Sequence, residues 1–314
     1  MSTILVTGAD LAPQALELLR GHEVIFAGKT PAEDDVVALC ARHNPIAIIV
    51  RYSKVGAAAM DAAPALRVIS KHGSGTDTID KAAAKARGIE VVAAAGANAA
   101  AVAEQALALM LACAKSVVSL DARMHGGHWD KATHKSLELG GRTVGLVGLG
   151  AIGLRFARMA HALDMRVIGF DPYAKDLPDY VRSVDLEAIW READVISLHC
   201  PLTEDNRELV NAATLAKTRR GAILINTARG GLIDEDALLA AVKSGQVMAA
   251  GLDSFAVEPM AAGHPFQGEK GFVLSPHIGG VTGDAYVNMG VAAARNALAI
   301  LAKQQANGLL GQGA

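Results

Sequence analysis

Three observations in the 314-residue sequence predict an α/β fold of two doubly wound parallel-sheet domains. Short runs rich in Val and Ile alternate with Ala- and Leu-rich segments of helical length, the rhythm of a parallel sheet covered on both faces. The series occurs twice, in a chain longer than a single core usually supports. A glycine-rich segment, Gly148-Leu149-Gly150-Ala151-Ile152-Gly153, follows the first strand-like run of the second series.

In the first series the expected strands are residues 4–7, 23–27, 47–50, 67–70 and 90–93; in the second they are 143–147, 166–170, 195–199, 222–226, 250–252 and 272–274. The boundary is expected after Asn98, where the turn-like Ala95-Gly96-Ala97 gives way to an apolar stretch over residues 99–120. Glu104, Gln105 and Lys115 interrupt that stretch and would be costly in lipid, so it reads as one buried helix. Gly126-Gly127 and Gly140-Gly141 punctuate the path to the second series. A final helical pattern over residues 284–303 has no strand after it and is expected to pack back on the first domain. That domain is then discontinuous, 1–98 plus 285–314, around a dinucleotide domain of 99–284. Residues 304–308 and 311–314 read as a frayed tail.

Composition narrows the function. With 51% hydrophobic and 20% charged residues the chain is globular, and a net charge of -2 offers no basic face to nucleic acid or an anionic membrane. A small-molecule partner is expected. Cys40, Cys113 and Cys200 form neither a CxxC pair nor a metal-like cluster, and no metal is expected. The N-terminus lacks the basic and apolar regions of a signal peptide, so a cytoplasmic location is expected.

In the glycine-rich segment, Gly148 permits a tight turn, Gly150 lets backbone approach a pyrophosphate, and Gly153 allows close packing of helix on strand. The following helix N-terminus offers free N–H groups and a positive dipole to phosphates. The next strand ends in Asp171, 21 positions after Gly150 (171 minus 150). A carboxylate there accepts from ribose hydroxyls and repels a 2′-phosphate, which favours NAD over NADP.

Three later residues supply chemistry. Arg229 follows the buried run 222–226, and its planar fork matches a carboxylate and stays charged. His277 follows the run 272–274, and imidazole suits proton exchange near neutral pH. Glu258 lies between them, and a carboxylate beside an imidazole favours its protonated form. A dinucleotide platform, a cation for a substrate carboxylate and an acid–base pair are what hydride transfer at a 2-hydroxy acid requires.

The order GLGAIG, Asp171, HCPLTEDN (199–206), INTARGGLIDEDAL (225–238), GLD (251–253), Glu258-Pro259 and SPHIGG (275–280) resembles the D-isomer-specific 2-hydroxyacid dehydrogenases. The look is that of the branch with D-3-phosphoglycerate dehydrogenase and hydroxypyruvate reductase, and the spacings of 29 (229 to 258) and 19 (258 to 277) are similar too. The resemblance implies a flavodoxin-like substrate domain and a Rossmann NAD domain with a cleft between them. It implies that Arg229 binds and polarises the substrate, His277 donates and accepts the proton, and Glu258 orients and charges His277. It implies NAD contacts from Ala151, Ile152, Asp171, Cys200, Pro201, Thr227, Ala228, Arg229, Asp253, His277 and Gly280, with Ser74 near the nicotinamide end, and a homodimer. One departure is Ser254-Phe255-Ala256, where the family often has an aliphatic-Phe-Glu run.

In the first domain, N–H groups around Gly73, Ser74 and Gly75 form a candidate nest for a carboxylate after the strand ending at Ser70. Arg51, Lys71 and Asn98 are candidate substrate contacts in the same region. The competing reading is an NAD(H)-sensing binding protein of the same superfamily; retention of the full trio and the lack of long disordered flanks weigh against it.

Overall fold

The computed structural model describes residues 1–306, and the chain divides into two compact units, Met1–Asn98 with Gly280–Ala314, and Ala99–Gly279. The second break falls five residues before the expected one (284 minus 279). By Gly280 the chain already lies on the first unit: a Cβ at this glycine would sit 2.8 Å from the Asn98 side-chain nitrogen.

The first unit holds β1 (Thr3–Val6), β2 (Glu23–Phe26), β3 (Ala47–Val50), β4 (Val68–Lys71) and β5 (Glu90–Ala93), all parallel in the order β2-β1-β3-β4-β5. This is the flavodoxin-like order. β1 and β3 are buried at every position, which is why they read as unbroken apolar runs, whereas edge strand β2 exposes Glu23 and Phe26. The Gly283–Ala306 helix lays Ala293, Ala294, Ala297 and Leu301 into a core shared with Ile4, Val6, Ile49 and Val68. Its alanines allow close approach, and Ser70 Oγ donates to the Ala293 carbonyl at 2.8 Å. Removing one of the fully buried isoleucines of this core would cost about 2–5 kcal/mol as Ile→Ala. Gln304, Gln305 and Ala306 remain helical rather than frayed, and the rest of the expected tail lies outside the described residues.

The second unit holds β6 (Thr143–Val147), β7 (Arg166–Phe170), β8 (Val181–Ser183), β9 (Val195–Leu198), β10 (Ala222–Asn226), β11 (Val247–Leu252) and β12 (Phe272–Leu274). Their order is β12-β11-β10-β9-β6-β7-β8, all parallel, which is the Rossmann order extended by one strand. The order reverses between β6 and β9, and ligands of such sheets bind outside the carboxyl ends at that point. Ala99–Lys115 covers the sheet, close enough that a Cβ on Gly251 would meet Leu109 Cβ at 2.8 Å. The single helix expected over 99–120 is in fact two. Ser116 adopts a left-handed conformation (φ 53°), and Val117–His125 turns off by 62° with no buried residue of its own. Burial holds the first helix to the sheet, and that burial ends at Ala114.

Candidate active site

All three glycines of the turn after β6 meet different surroundings. Gly148 has φ +97°, and a Cβ there would meet Cys200 N at 2.7 Å, so only glycine lets the β6 and β9 exits cross. A Cβ on Gly153 would strike the Gly148 carbonyl, which keeps the Ala151–Ala162 helix tight on its strand. Gly150 faces open space, with nothing within 4 Å of its would-be Cβ. At the end of β7, Asp171 is fixed by two backbone donors, Leu149 N at 2.8 Å and Tyr173 N at 2.9 Å. The acid therefore stands beside the glycine turn, with its orientation set by the backbone.

Thr227 adds a further mark of a ligand edge: its Oγ1 is buried and has no hydrogen-bond partner among the described residues. A buried unpaired hydroxyl is costly, so such a group invites a ligand donor or acceptor. Ala151 and Ile152 begin the helix, Cys200 and Pro201 follow β9, Thr227 and Ala228 follow β10, and Asp253 follows β11. All lie at the carboxyl edge of one parallel sheet. Asn206, quoted above only within a motif, ties the loop after β9 by accepting from Thr203 N (2.7 Å) and donating to the Pro201 carbonyl (2.7 Å). Burial pushes the Cys200 thiol up to about 11, with Asp171 adding to the rise, so it stays a neutral packing group. The open side of Gly150, the anchored Asp171 and the unpaired Thr227 hydroxyl fit a dinucleotide.

Arg229, Glu258 and His277 all belong to the second unit. Asn226, fully buried at the end of β10, donates to the Arg229 carbonyl (2.9 Å) and accepts from Ala228 N (3.0 Å), folding the turn that presents Arg229. Arg229 is half-buried, and its NH1 also reaches the Ala228 carbonyl at 2.7 Å. A Cβ on Gly230 would collide with the Phe255 backbone, so this glycine brings the Arg229 turn against the 254–256 segment. Glu258 Oε1 accepts from Phe255 N at 2.9 Å, and its Oε2 lies 2.7 Å from His277 Nδ1. His277 itself is left-handed (φ 53°), an uncommon state for a non-glycine residue that a functional site can hold.

Asp253, with Ser275 and Gln105 that sequence reasoning gave no role, holds this loop. The Asp253 carboxylate accepts from Ser275 Oγ (2.6 Å), Ile278 N (2.9 Å) and Gly279 N (2.7 Å), and Gln105 donates to Ser275 Oγ at 3.0 Å. The expected role of Asp253 is a cofactor contact; here three of its roughly four acceptor sites clamp the His277 loop. Glu235 accepts from Ala256 N at 2.9 Å and faces His264 at 3.4 Å, steadying the approach to Glu258.

In the first unit, Ser74 Oγ donates to Asn98 Oδ1 at 3.0 Å, and Gly280 abuts the same side chain, so these three come together. Gly73 N–H is taken by the Lys71 carbonyl at 3.0 Å, which narrows the expected nest to the N–H groups of Ser74 and Gly75. Arg51 is less available than expected. It pairs with Asp10, donates to Tyr52 Oη at 3.1 Å, and its guanidinium lies 5.0 Å from the ring centroids of both Tyr52 and Tyr286. Lys71 Nζ donates to the Arg51 carbonyl at 2.8 Å.

Fold and edge together define a nicotinamide-dinucleotide-dependent oxidoreductase with an Arg, Glu and His apparatus. The model of the D-isomer specific 2-hydroxyacid dehydrogenase, NAD binding domain, matches residues 107–279, and the chain belongs to that family of NAD-dependent enzymes. It is similar to the hydroxypyruvate reductase of Thermotoga maritima, 38% identical over 283 residues, which is 90% of this chain and 92% of that one. It is also 38% identical over 286 residues to the D-3-phosphoglycerate dehydrogenase of Archaeoglobus fulgidus, covering 90% of this chain and 54% of that longer protein. The solved TT0316 protein of Thermus thermophilus superposes with a TM-score of 0.88 at 37% identity, over 96% of this chain and 97% of that one.

Proposed function

We propose that this chain interconverts a small 2-hydroxy acid and its 2-oxo acid, with His277 as proton donor and acceptor. The observation that carries the reading is the 2.7 Å contact of Glu258 Oε2 with His277 Nδ1. With Nδ1–H held by the carboxylate, Nε2 is the atom that gives a proton to the carbonyl oxygen in reduction and takes it from the hydroxyl in oxidation. Arg229 holds the substrate carboxylate and draws charge from the neighbouring carbonyl. The dinucleotide, when bound, supplies or accepts the hydride. Gly148, Gly150 and Gly153 with the N-terminus of the Ala151–Ala162 helix would hold its pyrophosphate, and Asp171 its adenosine ribose, which favours NAD over NADP.

Hydroxypyruvate, glyoxylate and 3-phosphoglycerate are the candidate substrates, each found in the name of a relative. Ser74, Gly75, Asn98, Lys71 and Arg51 are the proposed substrate-side contacts. NADH absorbance followed with a panel of 2-oxo acids tests the activity, and silence across the panel would refute it. His277→Ala is expected to depress kcat by about 10² to 10⁴ with little change in NADH affinity; equal losses in both would remove the proposed role.

A homodimer in a reducing cytoplasm completes the reading. The Val117–His125 helix exposes Val117, Val118 and Met124, and Trp129 beside it is 75% exposed, an apolar surface suited to a second copy. Cys40, Cys113 and Cys200 are all free thiols. Light scattering of the purified chain, with Val118→Asp as the comparison, tests the dimer: a monomeric mass for the unaltered chain would overturn it.

A further inference from the structure

The amino edge of the second sheet, at the opposite ends of the strands from the glycine turn, carries a cavity of about 580 Å³. That volume lies in the range of small-molecule sites. Thr143 of β6 and Val167 and Ile168 of β7 line it, with four arginines, Arg166, Arg182, Arg191 and Arg219, and one acidic residue, Glu192. Glu192 pairs with Arg182, and Arg219 reaches Asp194 at 3.1 Å. Among the described residues no carboxylate lies within ion-pair distance of Arg166 or Arg191. One wall is the stacked pair His161 and Tyr180, with ring centroids 4.5 Å apart and planes 6° from parallel.

Helix dipoles account for part of this charge, since His161 and Arg191 stand in the last turns of their helices. They do not account for Arg166 and Arg182, which belong to strands. Like charges gathered around one concavity repel each other, and a bound anion would reverse that cost. Guanidinium forks match the paired oxygens of phosphate and carboxylate.

We infer that this cavity binds a small organic anion carrying two or more phosphate or carboxylate groups. It is separate from the dinucleotide edge, because β6 runs five residues between the two, about 15 Å. The His161–Tyr180 wall offers a flat apolar face to a ring attached to such an anion.

Calorimetric titration of the full chain, saturated with NADH, with pyrophosphate, citrate and ATP tests the site. NADH keeps ATP from the dinucleotide edge. Saturable binding is expected for at least one probe, weakening as salt is raised. Preference for ATP over pyrophosphate would assign the ring wall, and equal binding would assign the charges alone. Arg166→Gln with Arg191→Gln is expected to weaken binding tenfold or more and to leave kcat and the KM for NADH unchanged, while Arg229→Gln retains binding. On the unaltered chain, hydrogen exchange should show ligand protection around residues 161–166 and 180–182 rather than 148–153. Absence of saturable binding at millimolar probe, binding that survives the double substitution, or binding lost in Arg229→Gln would each overturn the proposal.

Discussion

Replacing Glu258 by Gln tests the proton-handling pair through a conflict written into its two contacts. Oε1 accepts from Phe255 N at 2.9 Å, and Oε2 faces His277 Nδ1 at 2.7 Å. Both are acceptor positions, and a glutamine has one acceptor oxygen and one donor NH₂. If the amide keeps its oxygen on Phe255 N–H, its NH₂ meets Nδ1, which must then lose its proton and leave Nε2 protonated at rest. If it keeps its oxygen on Nδ1–H, two N–H groups collide at Phe255. Either way one hydrogen bond to a charged group is lost, worth about 1.5–3 kcal/mol. The side chains of the pair are 47% and 36% exposed, so solvent softens the loss and the lower part of that range applies. At about 1.4 kcal/mol per decade, kcat should fall about 10- to 40-fold. The assay is steady-state NADH oxidation with the best 2-oxo acid of the panel, alongside NADH affinity by fluorescence and a thermal melt. A kcat within twofold of the unaltered enzyme, or a fall matched by NADH affinity, would refute the reasoning.

Other substitutions separate the glycine roles. Gly150→Ala faces open space and should fold with an unchanged melting temperature while weakening NADH tenfold or more, whereas Gly230→Ala collides with the Phe255 backbone and should lower both stability and kcat. A Gly150→Ala protein with native NADH affinity would sever that residue from the cofactor. Asp171→Ser should reduce the preference for NADH over NADPH, read as the ratio of kcat/KM, and an unaltered ratio would contradict the ribose assignment. Burial lowers His72 from 6.5 to about 4, helped by the charges of Arg51 and Lys71, and burial alone lowers His199 to about 4. Both rings are neutral in the folded chain while the unfolded chain protonates near 6.5, so their support is complete above that pH and is lost as pH falls toward 4. Each shift corresponds to about 3 kcal/mol. Denaturant midpoints between these pH values should decline, less so in His72→Gln; an equally steep decline in that variant would exclude His72 as a source.

Most strands were legible because a parallel sheet buried on both faces demands continuous apolar runs, as in Ala47–Val50 and Ala222–Asn226. β8 was not. It is three residues long at the sheet edge and exposes Arg182 and Ser183, so no apolar run announces it. The turn glycines were legible from their local spacing, and the trio from its order along the chain. Gln105 was not, since it sits in an apolar helix and meets Ser275 only through the fold. The engagement of Arg51 was equally hidden, because Asp10 and Tyr286 reach it from distant parts of the chain. Sequence patterns report what a residue's neighbours along the chain require, and these contacts are set by neighbours across it.

Arg229, Glu258 and His277 are all carried by the span Ala99–Gly279, as are Asp253, Ser275 and Gln105 that brace them. The three candidate residues are thus encoded in one block, together with Asp253, Ser275 and Gln105 that brace the His277 loop. Under the proposed function, changes in the other block, which carries Ser74, Gly75 and Asn98, would retune which molecule is accepted without requiring the acid–base pair to be rebuilt, a division of labour that would let a lineage diversify its diet while keeping its chemistry.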